Sequence, residues 1–279
     1  MKRSALLLSP ADVVDFDQWQ ARSRRIASRQ GNLGGRIARK NEIEVDYSIF
    51  TPKDYLFSWS TAMAGVEVED DNHTIVTPHN KLINDNGNAW TNEVLLESYS
   101  SFILAENYLE HCQIPELSKG KILDAVAWVY ETQVNGYPEP VPTVFIDILV
   151  ATSKKKHPKL CKNIMSGAIN TMSMGCNITH FQCSRCGKIF EEDTDEPCTH
   201  IKNQLARPYT SDGKKRKVAE LCGRPGDPGS CVFQECSWVL KPAFSWAKRH
   251  GFVDPIQESR GKRLRSFIPK SRFDEAAPE

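Results

Sequence analysis

The densest run of β-branched and apolar positions, Thr143-Val-Phe-Ile-Asp-Ile-Leu-Val150, predicts a strand. Lys121-Ile-Leu-Asp-Ala-Val-Ala-Trp-Val-Tyr130 predicts another. Between them, Pro138, Pro140 and Pro142 mark a loop, because proline cannot donate to a ladder. Residues 46–79 read as short strands at Tyr47–Phe50, Ala64–Val68 and Thr74–Thr77. Asn84-Asp-Asn-Gly87 reads as a turn, since Asn and Gly tolerate positive φ. From Trp90 to Leu104, the spacing of Val94, Leu95, Tyr99, Phe102 and Ile103 is helical. A second helix is expected from a Thr152 or Ser153 cap to Ser166, ending at Gly167. Strands at 168–179 and at Phe233–Leu240 follow, then a short helix from Pro242 to His250. Many strands with few helices predict an α+β fold around a mostly antiparallel sheet or barrel.

Composition refines this picture. The 279 residues, 40% of them apolar, suffice for a substantial core, and a net charge of +1 selects no partner. Residues 1–40 are locally basic, with nine Lys and Arg against three Asp. Three parts are therefore expected: a basic, partly disordered extension (1–45), a main domain (46–250) and a polar tail (251–279). Asp12 to Ile26 could form a short amphipathic helix within the extension. The apolar run after Met1-Lys-Arg is too short for an export signal, and Asp12 and Asp15 follow it. No apolar run reaches the roughly 18 residues of a membrane span.

Nine cysteines are an odd number, and three of them are grouped as metal ligands, which favours a reducing compartment. Cys183-Ser-Arg-Cys186-Gly187 has the outline of a zinc knuckle, and Cys198-Thr-His200 supplies a second pair. Three Cys and one His form a closed tetrahedral set suited to structural Zn²⁺. Such an ion would fold an insertion, about 180–222, too small to bury enough apolar area. Cys222 or Cys231 could replace one ligand. The acidic loop Glu191–Glu196 and the scarcity of aromatic residues argue against nucleic-acid binding by this insertion.

Several motifs form an ordered series. They are Tyr108-Leu-Glu-His111, the Asp147-Ile-Leu-Val strand, Asn170-Thr-Met-Ser-Met-Gly-Cys176, Cys183-x-x-Cys-Gly187, Glu220-Leu-Cys-Gly223 and Glu235-Cys-Ser-Trp-Val-x-x-Pro-Ala243. In that order the chain resembles the prohead (capsid maturation) proteases of tailed bacteriophages, which share a fold with herpesvirus assemblins. The resemblance spans roughly residues 46–250. It implies an assemblin-like closed barrel, with Ser173 as nucleophile and His111 as base. Glu235 would orient the imidazole, with His180 and Asp147 as competing third members. Met174 and Gly175 backbone N–H groups are suggested for the oxyanion, with Arg185 or Arg224 as possible helpers. Cys176 is a rival nucleophile, although strand alternation puts it on the opposite face from Ser173. Glu235 lies 62 residues beyond Ser173, and the metal insertion accounts for that length.

The resemblance further implies a serine endopeptidase in the host cytoplasm, inside the assembling prohead. Its substrates would be scaffold protein, major capsid protein and itself. Two other readings remain at this point: a catalytically inactive, zinc-stabilised virion or scaffold protein, and a zinc-ribbon nucleic-acid-binding protein.

Overall fold

A computed structural model describes residues 37–40, 43–46, 49–66, 68–69, 74–75, 82–132, 141–191, 194–211 and 213–252. The expectations for Asp12–Ile26 and for the polar tail beyond Phe252 lie outside these residues.

The fold is mixed α+β and dominated by strands. Four short strands come first: β1 (Ile37–Lys40), β2 (Ile43–Asp46), β4 (Val68–Glu69) and β5 (Thr74–Ile75), which pair as β1–β2 and β4–β5. The main sheet has seven strands: β3 (Tyr55–Ala64), β7 (Glu106–Asn107), β8 (Gly120–Thr132), β9 (Val141–Ser153), β10 (Thr171–Ile178), β16 (Cys231–Val239) and β17 (Arg249–Phe252). Their order is β10-β16-β7-β8-β9-β3-β17, antiparallel except at β16–β7. A four-stranded sheet, β12 (Ile189–Phe190), β11 (Phe181–Cys183), β15 (Glu220–Cys222) and β6 (Asn88–Ala89), lies alongside. A hairpin of β13 (Pro208–Ser211) and β14 (Lys214–Lys217) completes the strands. The helices are α1 (Asn92–Ser98), α2 (Pro158–Ser166) and α3 (Thr199–Gln204).

Bulges bend the main sheet, since an extra residue in one strand increases local twist. They fall after Thr61 in β3, after Ile122 in β8, and opposite Gly175 and Cys176 in β10. The sheet curls into a half-barrel whose two edges meet at one end. There Met172 N–H donates to Ala247 O (2.9 Å), Arg249 N–H to Asn170 O (2.9 Å) and Thr61 N–H to Lys248 O (3.0 Å). The segment 247–249 thus bridges β10 and β3.

Inside the curl lies the main core, including Trp128, Trp238 and the stacked pair Phe102–Phe233, with ring centres 4.1 Å apart. The outer face of β3, β8 and β9 is also covered: Phe57, Leu123 and Leu149 pack with Phe50. Burial on both faces explains why β8 and β9 read as continuous apolar runs rather than as alternation. Gly120 opens β8 because a Cβ there would stand 1.8 Å from Ala151 O.

Several boundaries differ from the sequence reading. The ten-residue β3 was not expected, because its polar Ser58, Ser60 and Thr61 are buried and interrupt any pattern. Strand β9 continues through Thr152 and Ser153, so these residues do not cap a helix. Helix α2 starts at Pro158 and ends, as expected, at Gly167 with φ 80°. The 90–104 helix is short, α1 followed by a 3-10 turn at Tyr99–Phe102. No helix forms at 242–250; that stretch is irregular and leads into β17.

Candidate active site and metal centre

Ser173 sits in β10 directly across from Ser237 of β16, and Gly175 sits across from Glu235. Residues two apart on a strand share a face. Ser173, Ser237, Gly175 and Glu235 therefore form one patch on one side of the β10–β16 pair. Glu235 is fully buried and Ser173 nearly so, at 8% exposure.

His111 reaches this patch from the turn after β7, rather than from a strand. The turn is held where Glu110 N–H donates to Trp238 O (2.9 Å) and Leu240 N–H to Glu110 Oε1 (2.8 Å). Glu110 (φ 50°) and His111 (φ 54°) are both left-handed, a backbone state that costs about 1–3 kcal/mol for each non-glycine residue. That strain aims the imidazole inward. His111 Nδ1 lies 2.7 Å from Glu235 Oε1. Facing a carboxylate, Nδ1 carries the proton, which leaves Nε2 as an acceptor. The hydrogen bond to Glu235 raises the His111 pKa above its ordinary value, against the opposing effect of partial burial.

The Glu235 carboxylate is held from other sides as well. Ser237 Oγ donates to Oε2 at 2.5 Å, and Gln113 Nε2 approaches Oε1 at 3.5 Å. Gly175 gives the carboxylate its space: a Cβ there would lie 2.6 Å from Glu235 Oε1. The sequence reading assigned no role to Ser237 or Gln113: Ser237 reaches Glu235 from two residues along β16, and Gln113 reaches it from the loop that carries His111.

Ser173 and His111 line one cleft of about 210 Å³. Met174 lines it too. Strand alternation points the Met174 N–H to the same edge as the Met172 N–H, away from β16. The donor suggested for an oxyanion thus faces the open edge beside Ser173. Gly175 points its backbone the other way, towards β16, and serves instead as the space for Glu235. The cleft thus brings the His111–Glu235 pair beside a strand serine, the three residue types of a serine–histidine–carboxylate set.

The rival assignments go elsewhere. His180 pairs with Glu191 at 3.2 Å and lies 2.8 Å from Thr179 Oγ1. Asp147, in the middle of β9, accepts from Thr61 Oγ1 at 2.6 Å and lies 3.9 Å from His250 Nε2. Arg185 bonds Gln204 and stacks over Tyr209, with 4.9 Å to the ring centre. Arg224 sits in a turn, in an isolated backbone β-bridge with Asp227. Hydrogen bonding with Cys231, and then burial, hold the Cys176 thiol far above its ordinary pKa, so it is a poor nucleophile. His157, just before α2, lies 3.0 Å from Ser118 O through Nε2 and takes no part in the cleft.

The second cluster lies in the four-stranded sheet and α3. One donor atom each from Cys183, Cys186, Cys198 and His200 come together, all within 4.8 Å of one another. Cys183 Sγ and His200 Nδ1 are 3.9 Å apart. The knuckle turns as its spacing predicts: Gly187 takes φ 70° and donates to Cys183 O (2.9 Å), while Cys183 N–H donates to Lys188 O (2.9 Å). Ser184, fully buried, ties the knuckle down by accepting from Ala219 N–H at 2.8 Å. Cys198 precedes α3 as its N-cap and presents His200 in the first turn. Three thiols and an imidazole at this spacing could hold a metal ion. Cys222 and Cys231 are not in the group; both are buried in the main core.

Comparison with protein-family models, with curated proteins and with solved structures finds no match for this chain.

Proposed function

We propose that the chain is a serine endopeptidase of the capsid-maturation type, with Ser173 as nucleophile, His111 as base and Glu235 as the orienting acid. The observation that carries this reading is the 2.7 Å contact between His111 and a fully buried carboxylate, beside a strand serine in the same cleft. A buried carboxylate holding one imidazole nitrogen is the arrangement that makes the other a base.

In the proposed reaction Ser173 Oγ attacks a peptide carbonyl carbon while His111 Nε2 takes the hydroxyl proton. Glu235 stabilises the imidazolium, and the Met174 N–H donates to the developing oxyanion. Collapse of the tetrahedral intermediate breaks the C–N bond, and His111 gives its proton to the leaving amine. Water then attacks the acyl-enzyme by the same base and frees Ser173.

The ligand group Cys183, Cys186, Cys198 and His200 suits Zn²⁺ held for structure, since the set is closed to substrate. The proposed substrates are scaffold and major capsid proteins and the chain itself, within an assembling prohead in the host cytoplasm. These roles, and an assemblin-like barrel, rest on the ordered motifs together with the curled half-barrel.

Intact-mass analysis of wild type and Ser173→Ala tests the reading. Both are incubated with zinc, alone and co-expressed with scaffold and capsid substrates. Fragments in wild type only are expected. Identical, uncleaved masses under both conditions would favour an inactive structural protein of this fold.

A further inference from the structure

The cleft beside Ser173 has properties that its catalytic groups do not require. Its wall is mostly apolar: Met63, Ala64, Leu82, Trp90 and Phe244 line it, with Asn84 and Asn86 beside them, and His111 is the only ionisable residue among the described residues that do so. Of the polar lining residues, Asn84 turns its Oδ1 to its own loop, accepting from Asn86 N–H (3.0 Å) and Asn88 N–H (2.9 Å). A volume of about 210 Å³ falls below the roughly 300–1,000 Å³ of sites that enclose a small-molecule ligand. It matches one side chain. Along one margin runs the open edge of β10, where the Met174 backbone points outward after Met172 has used its N–H on Ala247. An extended chain can pair with such an edge.

We infer that this cleft is a specificity pocket that takes one uncharged, apolar side chain of an extended polypeptide lying along the β10 edge. The assignment rests on Ser173 being the nucleophile, and it adds the class of substrate. A charged side chain entering there would lose its water; a basic one would find no carboxylate among the described lining residues, and an acidic one would meet only His111, which must stay neutral to act as base. Leucine or methionine would exchange water for Met63, Leu82, Trp90 and Phe244. Trp90 and Phe244 are the bulky side chains of the lining and Ala64 a small one, so a larger residue at position 64 would take up space in the cleft.

Peptidyl phosphonate esters that differ only in the side chain next to phosphorus test the assignment, with a side-chain-free fluorophosphonate as reference. Labelling rates are read by intact mass, and the labelled residue by peptide mapping. The leucine and methionine reagents are expected to label Ser173 at least about tenfold faster than the glutamate or lysine reagents. Ala64→Phe, which fills the pocket, should lower the ratio of leucine to alanine reagent rates by about tenfold. Leu82→Ala, which enlarges it, should raise the ratio of phenylalanine to leucine rates. Equal or faster labelling of Ser173 by a charged reagent overturns the pocket and leaves the nucleophile standing. No labelling of Ser173 even by the side-chain-free reagent overturns the nucleophile, and the pocket with it.

Discussion

The cleft and the metal centre are organised by opposite means. The cleft is positioned by strands whose register is fixed by a large core, so its polar groups are held from outside. The four candidate metal ligands are positioned by a satellite core with four buried residues among those described, Cys183, Phe190, Ile201 and Val218. A core of that size cannot offset the chain entropy of the segment it orders. The two regions meet at β6 and β15, which pair in parallel through Asn88–Glu220 and Ala89–Leu221. Asn88 Nδ2 also donates to Glu220 Oε2 at 2.9 Å. Next to β6 stands Trp90, a wall of the cleft. The half-barrel thus has a large core of its own, while the region of three Cys and one His, whose order a bound metal would supply, adjoins one wall of the cleft.

Removing the metal breaks this comparison most directly. Structural zinc contributes on the order of 10 kcal/mol to small domains. Chelation, or Cys186→Ser, should therefore abolish protection from hydrogen exchange across residues 181–218. Strands β8 and β9 should keep theirs, and partial loss should reach 82–90 through β6. Uniform loss through β8 and β9 would show that the two regions are one cooperative unit.

Replacing the buried acid is the next largest perturbation, and it acts on the cleft alone. Glu235→Gln keeps the shape but removes the charge that raises the His111 pKa. Activity should fall by about 10⁴-fold, as when the acid of a serine triad becomes an amide. The sign of the pH effect is fixed. His111 must be neutral to act as base, so the acid limb of kcat/KM lies above the ordinary histidine range in the wild type. It should move to lower pH in the variant. An unmoved limb would mean that His111 is not the titrating base.

The same contrast decides what could be read from sequence. The metal ligands were legible because Cys-x-x-Cys-Gly and Cys-x-His are local, and local spacing fixes how such turns place their donors. Ser173, His111 and Glu235 were legible only as members of an ordered series. What joins them is tertiary: a register that sets Gly175 against Glu235, and a left-handed turn at residues 110–111. Strand β3 was illegible for another reason. Its buried Ser58, Ser60 and Thr61 look like surface residues until both faces of the sheet are seen to be covered.

Gly175→Ala sharpens the comparison on a smaller scale. The added methyl would stand 2.6 Å from Glu235 Oε1 and 2.9 Å from Gln113 Nε2, so the carboxylate must shift. Overpacking of this kind costs about 1–3 kcal/mol. Thermal unfolding should register that loss, and kcat should fall by roughly 10²-fold, because a 1 Å displacement of a catalytic group has about that effect. Metal content should not change. Wild-type kcat in this variant would mean that the carboxylate need not be held where it is.

The smallest effect belongs to Ser237. Its hydroxyl is fully buried and donates to Glu235 Oε2 at 2.5 Å, on the oxygen opposite His111. A hydrogen bond to a charged group is worth about 1.5–3 kcal/mol, and part of that appears as orientation of the carboxylate rather than as stability. Ser237→Ala should lower kcat by about tenfold with KM little changed, because the hydroxyl does not line the cleft. Loss of this donor makes the carboxylate a stronger partner for His111. The acid limb should therefore move to higher pH, opposite in direction to Glu235→Gln. Ser237→Thr, which keeps the hydroxyl, should restore most of the rate and return the limb. A purely structural serine would lower the melting temperature in the alanine variant without moving the pH profile. Opposite shifts from two neighbours two residues apart on β16 would show that the barrel sets the base through a chain of buried donors.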